Sequence, residues 1–412
     1  MKLAPWMADE QALEAAGDAF LRGGWGLRGL VLAAERLVEA QITLSRRTSD
    51  ALHQKQARKR MPPWDAPSAG TQLLASPLIC VLRPVYGLLS ALRAPPYTRS
   101  PTQRAVRVVC LSDTHSQHRS VDEIPDGDLL IHAGDLTDLG TPEQIQEAAD
   151  WLKSLPHRYK VVVAGNHDGW LDAGVRGRIA ELNGIDESAV DDTRIDWEGI
   201  CYLQNSSVTL EFGSRTLTVH GIPQIPQLEP HVTIHAFQYP PYHVGLPWPT
   251  APPAETDILV SHSPPLHHGD LFPNSIGCAH LLEAAWRVKP ALYVFGHTHA
   301  GRGVERAYYD DAQRAWEMML HRRREGGMLW ARGERGWSWW LFRRWSVVRD
   351  LVSVCWAWRD AVRVVFGSLV SVIWTRVWGG ERPLGREGWM VNPACMDVRG
   401  QRIVAGPIVV DL

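Results

Sequence analysis

Five short polar motifs stand at the ends of five apolar runs in this chain. The runs are continuous and rich in β-branched residues, which is typical of strands in sheets covered on both faces. The motifs are Ser112-Asp113-Thr114-His115, Gly134-Asp135-Leu136-Thr137-Asp138, Gly165-Asn166-His167-Asp168, Ser261-His262 and Gly296-His297-Thr298-His299. Loops that follow the carboxyl ends of strands converge in open α/β sheets. The sequence therefore predicts a layered α/β domain with one polar site at a sheet edge.

A helix is predicted between the second and third motifs. Thr141 is a suitable N-cap, Pro142 occupies the first turn, and Gln144 stands at the capping-box position. The expected buried side of this helix consists of Ile145, Ala148, Ala149 and Leu152. Helices that alternate with strands support the α/β assignment.

The residue types in the motifs are those that bind catalytic divalent metals. Asp carboxylates, an Asn amide oxygen and neutral imidazoles suit Mn²⁺, Fe or Zn²⁺. No cysteine lies in the motifs, which argues against a structural zinc site. The mixed donors suit two ions about 3.5–4 Å apart that polarise a phosphoryl group and activate water. A single motif of this kind is weak evidence for a metal site, because Asp at a strand end is often a turn residue. Five such motifs in order are specific evidence.

The order of the motifs resembles the calcineurin-like metallophosphoesterases, with the pattern D-x-H, GDxx(D), GNH(D/E), a single His and GHxH. The flanking segments SDTHS, DGDLLIHAGDLTDLG, LPHRYKVVVAGNHD, TDILVSHSPP and VNPAC resemble the metallophosphoesterase-domain-containing branch related to brain protein 239. The resemblance covers about residues 106–300 and resumes in the C-terminal strands. It implies a two-layer β-sandwich flanked by helices. Members of that branch are associated with phosphodiesterase activity, including on cyclic nucleotides.

The resemblance also implies a set of ligands for two divalent ions. The seven implied ligands are Asp113, His115 and His299 at one ion, Asn166, His262 and His297 at the other, and Asp135 as the bridge. Some animal members have Gly at the first His of the last motif. This chain keeps His297, so both metal sites are expected to be complete.

His167 has a separate role by resemblance. It would be the catalytic histidine that contacts the phosphate and protonates the leaving oxygen, with Asp138 or Asp168 orienting its ring. A role for His167 as a further metal ligand stays open.

The expected function is metal-dependent hydrolysis of a small phosphodiester such as a cyclic nucleotide, with Mn²⁺ as the first choice of metal and Fe or Zn²⁺ as alternatives. The competing interpretations are a protein or monoester phosphatase, and a nucleotide-binding or scaffold protein with a weakly active site. The complete ligand set disfavours the scaffold. The net charge of -2 is not that of a general polyanion binder, and no sequence-specific nucleic-acid binding is expected.

Four regions are predicted along the chain. They are a helical N-terminal extension and linker (1–104), the metallophosphoesterase domain (105–311), a Trp/Arg-rich helical insertion (312–387) and C-terminal strands that complete the domain (388–412). The apolar stretch from Leu73 to Leu92 is interrupted by Pro77, Arg83 and Pro84, which makes it a poor bilayer-spanning segment. With no convincing signal peptide and no CxxC pair among six cysteines, an intracellular, cytoplasmic location is expected.

The predicted insertion is unusual in composition. From Gln313 to Glu387 it holds 14 arginines, no lysine and seven acids, and it carries 10 of the 19 tryptophans. Arginines interleaved with tryptophans suit an amphipathic helix at a membrane interface, so peripheral membrane contact through 313–386 and the N-terminal region is one hypothesis. The alternatives are a helical hairpin packed on the N-terminal region, and intron sequence retained in the translated product.

Overall fold

A computed structural model describes residues 76–93, 104–185, 195–227, 235–240, 243, 245–271, 275–331, 354–377 and 387–412. Side chains are described in these ranges except at 323–331 and 354–357. All of these residues belong to one compact unit, Pro63–Leu412. Most of the predicted N-terminal extension, and residues 332–353 and 378–386 of the predicted insertion, lie outside the described residues.

The described chain alternates between strands and helices. The helices of eight or more residues are α1 (Pro77–Leu92), α2 (Pro142–Ser154), α3 (Arg176–Asn183), α4 (Ala279–Val288), α5 (Asp311–Ala331) and α6 (Val354–Val372). The strands are β1 (Arg107–Leu111), β2 (Leu129–His132), β3 (Tyr159–Val162), β4 (Cys201–Tyr202), β5 (Ser206–Phe212), β6 (Arg215–Ile222), β7 (Ile225–Pro226), β8 (Gln238–Tyr239), β9 (Ile258–Ser261), β10 (Leu292–Val294), β11 (Gly303–Ala307), β12 (Gly388–Asn392) and β13 (Ile408–Asp411). A π-helical turn, Ile373–Val377, continues α6.

Two larger sheets form a sandwich. Their strand orders are β13-β1-β2-β3-β4 and β11-β12-β10-β9-β6-β5. The inner strands of each sheet are parallel, whereas β13, β11 and β5 pair antiparallel with their neighbours. Both sheets contribute to one central core, which contains Val108, Ile131, Val161, Val219, Val260 and Val294. The predicted fold class, a two-layer α/β sandwich, is confirmed.

The continuous apolar strands bury both faces. In β1, Val108 and Cys110 belong to the core between the sheets, while Val109 and Leu111 pack in a second core with α2. On the other sheet, Leu281 of α4 packs in a third core over β9 and β10. β1, β9 and β10 are therefore covered on both sides, which explains why their sequences lack alternating polar residues.

The start of α2 follows from its local sequence. Thr141 Oγ1 accepts a hydrogen bond from the Gln144 backbone N–H at 3.4 Å, and Pro142 lies in the first turn. Gln144 Oε1 accepts from the Leu139 N–H at 3.0 Å, two residues before the position expected of a capping box. The predicted buried side is confirmed at Ile145, Ala148, Ala149 and Leu152.

A separate helical layer is formed by α1, α5 and α6. Its core contains Ile79 and Leu82 of α1, Trp316 and Met319 of α5, and Ala361 and Val364 of α6. The layer also buries Asp360, whose carboxylate forms ion pairs with Arg322 and Arg363. Helices of the predicted insertion thus pack on a helix of the predicted N-terminal extension. Within the described ranges, no helix has the length and hydrophobicity needed to span a bilayer.

A buried histidine links α5 to the sandwich. His268 Nδ1 lies 2.8 Å from Glu305 Oε2, and its Nε2 lies 2.9 Å from Glu317 Oε1. Trp286 and Gln313 also donate hydrogen bonds to Glu317. Burial disfavours the charge of His268, but the two carboxylates outweigh burial and raise the pKa of His268 to about 10. Both ring nitrogens therefore donate, as in an imidazolium.

We expect His268→Gln to lower the free energy of unfolding by about 3 kcal/mol near pH 6, because Glu317 loses a buried cationic partner. The contribution of His268 is complete below about pH 6.5, the usual pKa of an unfolded histidine. It is lost as the pH rises through the folded-state pKa of about 10. Urea unfolding of both proteins at pH 6 and near pH 10 measures this difference. A difference that is as large at the higher pH would contradict the imidazolium.

Candidate metal centre

The five polar motifs meet at one edge of the sandwich. They follow β1, β2, β3, β9 and β10, five of the inner strands of the two sheets. The eight residues predicted as ligands or acid lie together there: Asp113, His115, Asp135, Asn166, His167, His262, His297 and His299. The convergence of strand ends therefore places every predicted ligand in one cluster.

Three overlapping groups of donor atoms make up this cluster, and within each group the atoms lie within 4.8 Å of one another. The groups are Asp113, His115 and His299; His115, Asp135 and His167; and Asp135, His262 and His297. Because His115 and Asp135 each belong to two groups, the donors are continuous from one end of the cluster to the other.

Asp135 has the central position. Its Oδ2 lies 3.2 Å from His262 Nε2 and 3.6 Å from His115 Nε2. On one side, Asp113 Oδ1 lies 3.3 Å from His299 Nε2. On the other side, Asn166 Oδ1 lies 3.1 Å from His262 Nε2. A carboxylate between two groups of donors has the placement expected of a bridging ligand.

The backbone at the site is held in unusual conformations. Asp113, His115, Asp135 and His297 all have positive φ, between 41° and 65°. A backbone conformation of this kind costs about 1–3 kcal/mol per residue and persists where surrounding contacts stabilise it. Two carboxylates of the site provide such contacts: Asp135 accepts from the His167 N–H at 2.8 Å, and Asp113 accepts from the His297 N–H at 3.0 Å.

Two glycines of the motifs lie so close to the side chains of site residues that neither position has room for a Cβ atom. Gly134 has φ +97°, and a Cβ there would lie 2.5 Å from His262 Nδ1. A Cβ on Gly165 would overlap Oδ1 of Asp135. The glycine before Asp135 and the glycine before Asn166 are therefore required by close packing against site residues.

His167 lies half-buried beside the central carboxylate. Its Nδ1 is 2.9 Å from the backbone carbonyl oxygen of Asp138. Because a carbonyl only accepts, Nδ1 carries a hydrogen and Nε2 is the nitrogen that titrates. Burial disfavours the charged ring, but Asp135, the Asp138 carbonyl and Asp168 outweigh burial and raise the pKa of His167. The neighbouring carboxylates and the carbonyl therefore favour the protonated form of the ring.

Asp138 and Asp168 were predicted to orient His167 through their carboxylates, but neither carboxylate is hydrogen-bonded to the His167 ring in the structure. The Asp138 carboxylate is exposed and lies 3.9 Å from His115 Nδ1, so Asp138 contacts the His167 ring through its main chain. The Asp168 carboxylate accepts hydrogen bonds from the backbone of Gly165, Leu136 and Thr137. Asp168 therefore joins the loops that carry Asp135 and His167.

The charges of the cluster fit metal binding. Burial opposes ionisation of Asp113, but His299 outweighs it and lowers the pKa of Asp113 to about 2. Burial likewise opposes charge on His262 and His299, and the neighbouring carboxylates Asp135 and Asp113 raise both pKa values to about 9. The buried carboxylates thus attract positive charge.

The donor set also suits divalent ions. It combines carboxylate oxygens, an amide oxygen and imidazole nitrogens, and includes no thiolate. Within the described residues, the buried Nε2 of His115 has no hydrogen-bond partner. A metal ion would supply one, so the residues present fit two divalent ions.

Metal binding at pH 7 is expected to release protons from His262 and His299, because an imidazole must lose its proton to coordinate a metal. Both pKa values of about 9 leave these rings protonated at pH 7 before the metal enters. Calorimetric titration of metal-free protein with Mn²⁺, in buffers of different ionisation enthalpy, should give about two protons released per chain. No release at pH 7 would contradict the charges assigned to the two histidines.

Three supporting residues were missed by the sequence analysis. The His235 ring lies 5.3 Å from the His167 ring, and its Nδ1 is 3.4 Å from Asn166 Nδ2. The Asp397 carbonyl accepts from His299 Nδ1 at 2.8 Å, and Asn392 Nδ2 donates to the Thr298 carbonyl. The segment VNPAC was a signal for Asn392, but no motif spacing connects Asp397 or His235 to the site.

Comparisons with known proteins agree with this geometry. The family model described as calcineurin-like phosphoesterase matches residues 106–301. A UPF0046 protein of Caenorhabditis elegans is 33% identical over 222 residues, which cover 52% of this chain and 70% of that protein. The chain belongs to the calcineurin-like phosphoesterases. The resemblance inferred from the five motifs is confirmed.

Two further relatives match this calcineurin-like phosphoesterase over part of their length. Metallophosphoesterase domain-containing protein 1 of Homo sapiens is 36% identical over 210 residues, or 48% of this chain and 62% of that protein. Probable rhamnogalacturonate lyase C of Emericella nidulans is 41% identical over 249 residues, or 60% of this chain and 22% of that protein. The chain thus spans less than two thirds of both proteins.

Proposed function

We propose that this chain is a metal-dependent phosphoesterase that hydrolyses a small phosphodiester such as a cyclic nucleotide. The observation that carries the proposal is the continuous cluster of donors centred on Asp135. Two divalent ions bound there would supply Lewis acidity towards the phosphoryl oxygens and lower the pKa of the attacking water. The seven ligands proposed for them are Asp113, His115, Asp135, Asn166, His262, His297 and His299.

His167 is the proposed general acid. Displacement at phosphorus leaves an alkoxide that needs a proton, and an imidazolium near neutral pH can donate one. The raised pKa of His167 favours its protonated form, and the Asp138 carbonyl accepts from its Nδ1–H, so that Nε2 is left to donate. Asp168 positions His167 by joining its loop to the loop of Asp135.

The charge of the site favours a diester over a monoester. A phosphate monoester carries close to two negative charges at neutral pH, whereas a diester carries one. None of the five motifs that form the site contains an arginine or a lysine, so no cationic side chain of the motifs supports binding of the second charge.

Mn²⁺ is the proposed metal. Carboxylate and amide oxygens suit Mn²⁺, and the imidazole nitrogens also suit Fe and Zn²⁺, which remain the alternatives. Elemental analysis of the purified protein, followed by reconstitution of metal-free protein with each ion, distinguishes them by the activity restored. A higher activity with Zn²⁺ than with Mn²⁺ would contradict the choice of manganese.

The substrate proposal predicts a preference for diesters. We expect kcat/KM for bis-p-nitrophenyl phosphate to exceed that for p-nitrophenyl phosphate by about tenfold or more, a difference of about 1.4 kcal/mol. A chelator should abolish both activities, and Mn²⁺ should restore them. A higher kcat/KM for the monoester would instead support a monoester phosphatase. No hydrolysis with Mn²⁺, Fe or Zn²⁺ would support a scaffold role.

A further inference from the structure

The helical layer exposes an unusual amount of apolar surface. Of the twenty large hydrophobic side chains that are exposed in the described part of the chain, twelve lie on α1 or on α6 and its π-helical turn. Val362, Phe366 and Ile373 recur at helical spacing and form a stripe that runs along α6 into its π-helical turn. Val81 and Leu88 lie on a similar stripe of α1. Large contiguous apolar patches on soluble domains mark interaction sites.

The two stripes adjoin. The helices pack against each other, and their ends are connected by two hydrogen bonds: Arg376 Nε donates to the Leu92 carbonyl at 3.1 Å, and Arg93 Nε donates to Ser371 Oγ at 3.0 Å. The opposite sides of the helices fill the core of the layer. The exposed stripes therefore form one outer face, which we call the α1/α6 face, on helices that are already anchored from behind.

Neither α1 nor α6 exposes an acid of its own, and the nearby exposed Asp311 of α5 is paired with Arg363 of α6. Helix α1 contains no Asp or Glu, and the one acid of α6, Asp360, is buried in its ion pairs. Arg359 and Arg376 are exposed on α6 and its π-helical turn, whereas Arg83 of α1 interacts with Glu305 and Asp270. The charge of the region is thus complementary to an anionic surface.

We infer that the α1/α6 face docks on an anionic lipid surface. Its apolar side chains enter the boundary between headgroups and acyl chains, and the exposed arginines contact lipid phosphates. Trp358 of α6 and Trp374 of its π-helical turn are also exposed, and tryptophan is enriched at this depth of a bilayer. A second copy of the same face would bring arginines against arginines, which disfavours self-association.

The test is flotation of the full chain with vesicles of phosphatidylcholine, with or without phosphatidylserine. We expect the full chain to float with the phosphatidylserine vesicles and more weakly with phosphatidylcholine alone. The double variant Phe366→Ser/Trp374→Ser should lose about tenfold or more of the partitioning, because it removes two large apolar groups. The matched control Leu182→Ser/Val304→Ser changes equally exposed apolar residues outside the helical layer and should float like the unchanged chain.

A second variant on the other helix keeps the inference testable if the first one folds poorly. Val81→Ser/Leu88→Ser alters α1 alone and should show a similar loss, with an unchanged far-UV circular dichroism spectrum. Equal flotation of the face and control variants, or no flotation of the full chain with phosphatidylserine vesicles, would overturn the inference. So would light scattering that shows a dimer for the full chain and a monomer for both face variants, since the face would then join two copies.

Discussion

Replacing His167 with alanine is expected to lower kcat by about 10²–10⁴-fold for a diester with an alkoxide leaving group, while both metal ions stay bound. The loss follows because the departing oxygen has a high pKa and needs the proton that His167 holds. The raised pKa of His167, with its Nδ1–H on the Asp138 carbonyl, suits that task. Steady-state kinetics with cyclic AMP or a dialkyl phosphate, together with metal analysis, measures the effect.

Leaving groups of different pKa distinguish an acid from a metal ligand. Nitrophenolate is stable without a proton, so His167→Ala should cost much less kcat with bis-p-nitrophenyl phosphate than with an alkoxide leaving group. His167 also lies in the donor group with His115 and Asp135, so a ligand role is the competing hypothesis. Equal losses for both leaving groups, accompanied by a missing ion, would favour the ligand. An unchanged kcat with both would exclude either role.

Replacing Asp135 with asparagine is expected to remove both metal ions and about 10³-fold or more of the activity. Asp135 lies between the two groups of donors, so its charge acts on both metal positions. The ions are expected to contribute several kcal/mol of transition-state stabilisation, and each 1.36 kcal/mol corresponds to a factor of ten. Elemental analysis and kcat with bis-p-nitrophenyl phosphate measure the two losses.

An exposed carboxylate elsewhere supplies the control for Asp135. Asp150 lies on α2, outside the motifs, with its side chain 62% exposed. Asp150→Asn should retain both ions and keep kcat within about threefold, as surface substitutions usually cost less than half a kcal/mol. Two bound ions in Asp135→Asn would contradict the bridging role.

The convergence of the motifs could be predicted because strand geometry determines it. Parallel inner strands bring their carboxyl ends to one edge, so residues as distant as Asp113 and His299 meet without any knowledge of the loops. The glycines of the motifs carried further information, since Gly134 and Gly165 admit no Cβ beside the site. Residue type and order were therefore sufficient for the sheet and for the donor cluster.

Contacts that depend on loop conformation could not be predicted in the same way. The hydrogen-bond partner of His167 Nδ1 is the backbone carbonyl of Asp138. Because every residue has a backbone carbonyl, this contact left no sign in the sequence, which instead suggested the side-chain carboxylate of Asp138. His299 is held by a carbonyl 98 residues away, at Asp397. In α6, apolar residues occur around most of the helix, so composition could not separate the buried Val364 from the exposed Phe366.

The central claim is that two divalent ions in the cluster around Asp135 support phosphodiester hydrolysis. The most direct measurement is a titration of metal-free chain with Mn²⁺ while turnover of bis-p-nitrophenyl phosphate is recorded. We expect no turnover before metal is added, and a rise to a plateau at two equivalents per chain, because a two-metal site acts only when both ions are present. Full turnover in the presence of chelator, or a plateau at one equivalent, would contradict it.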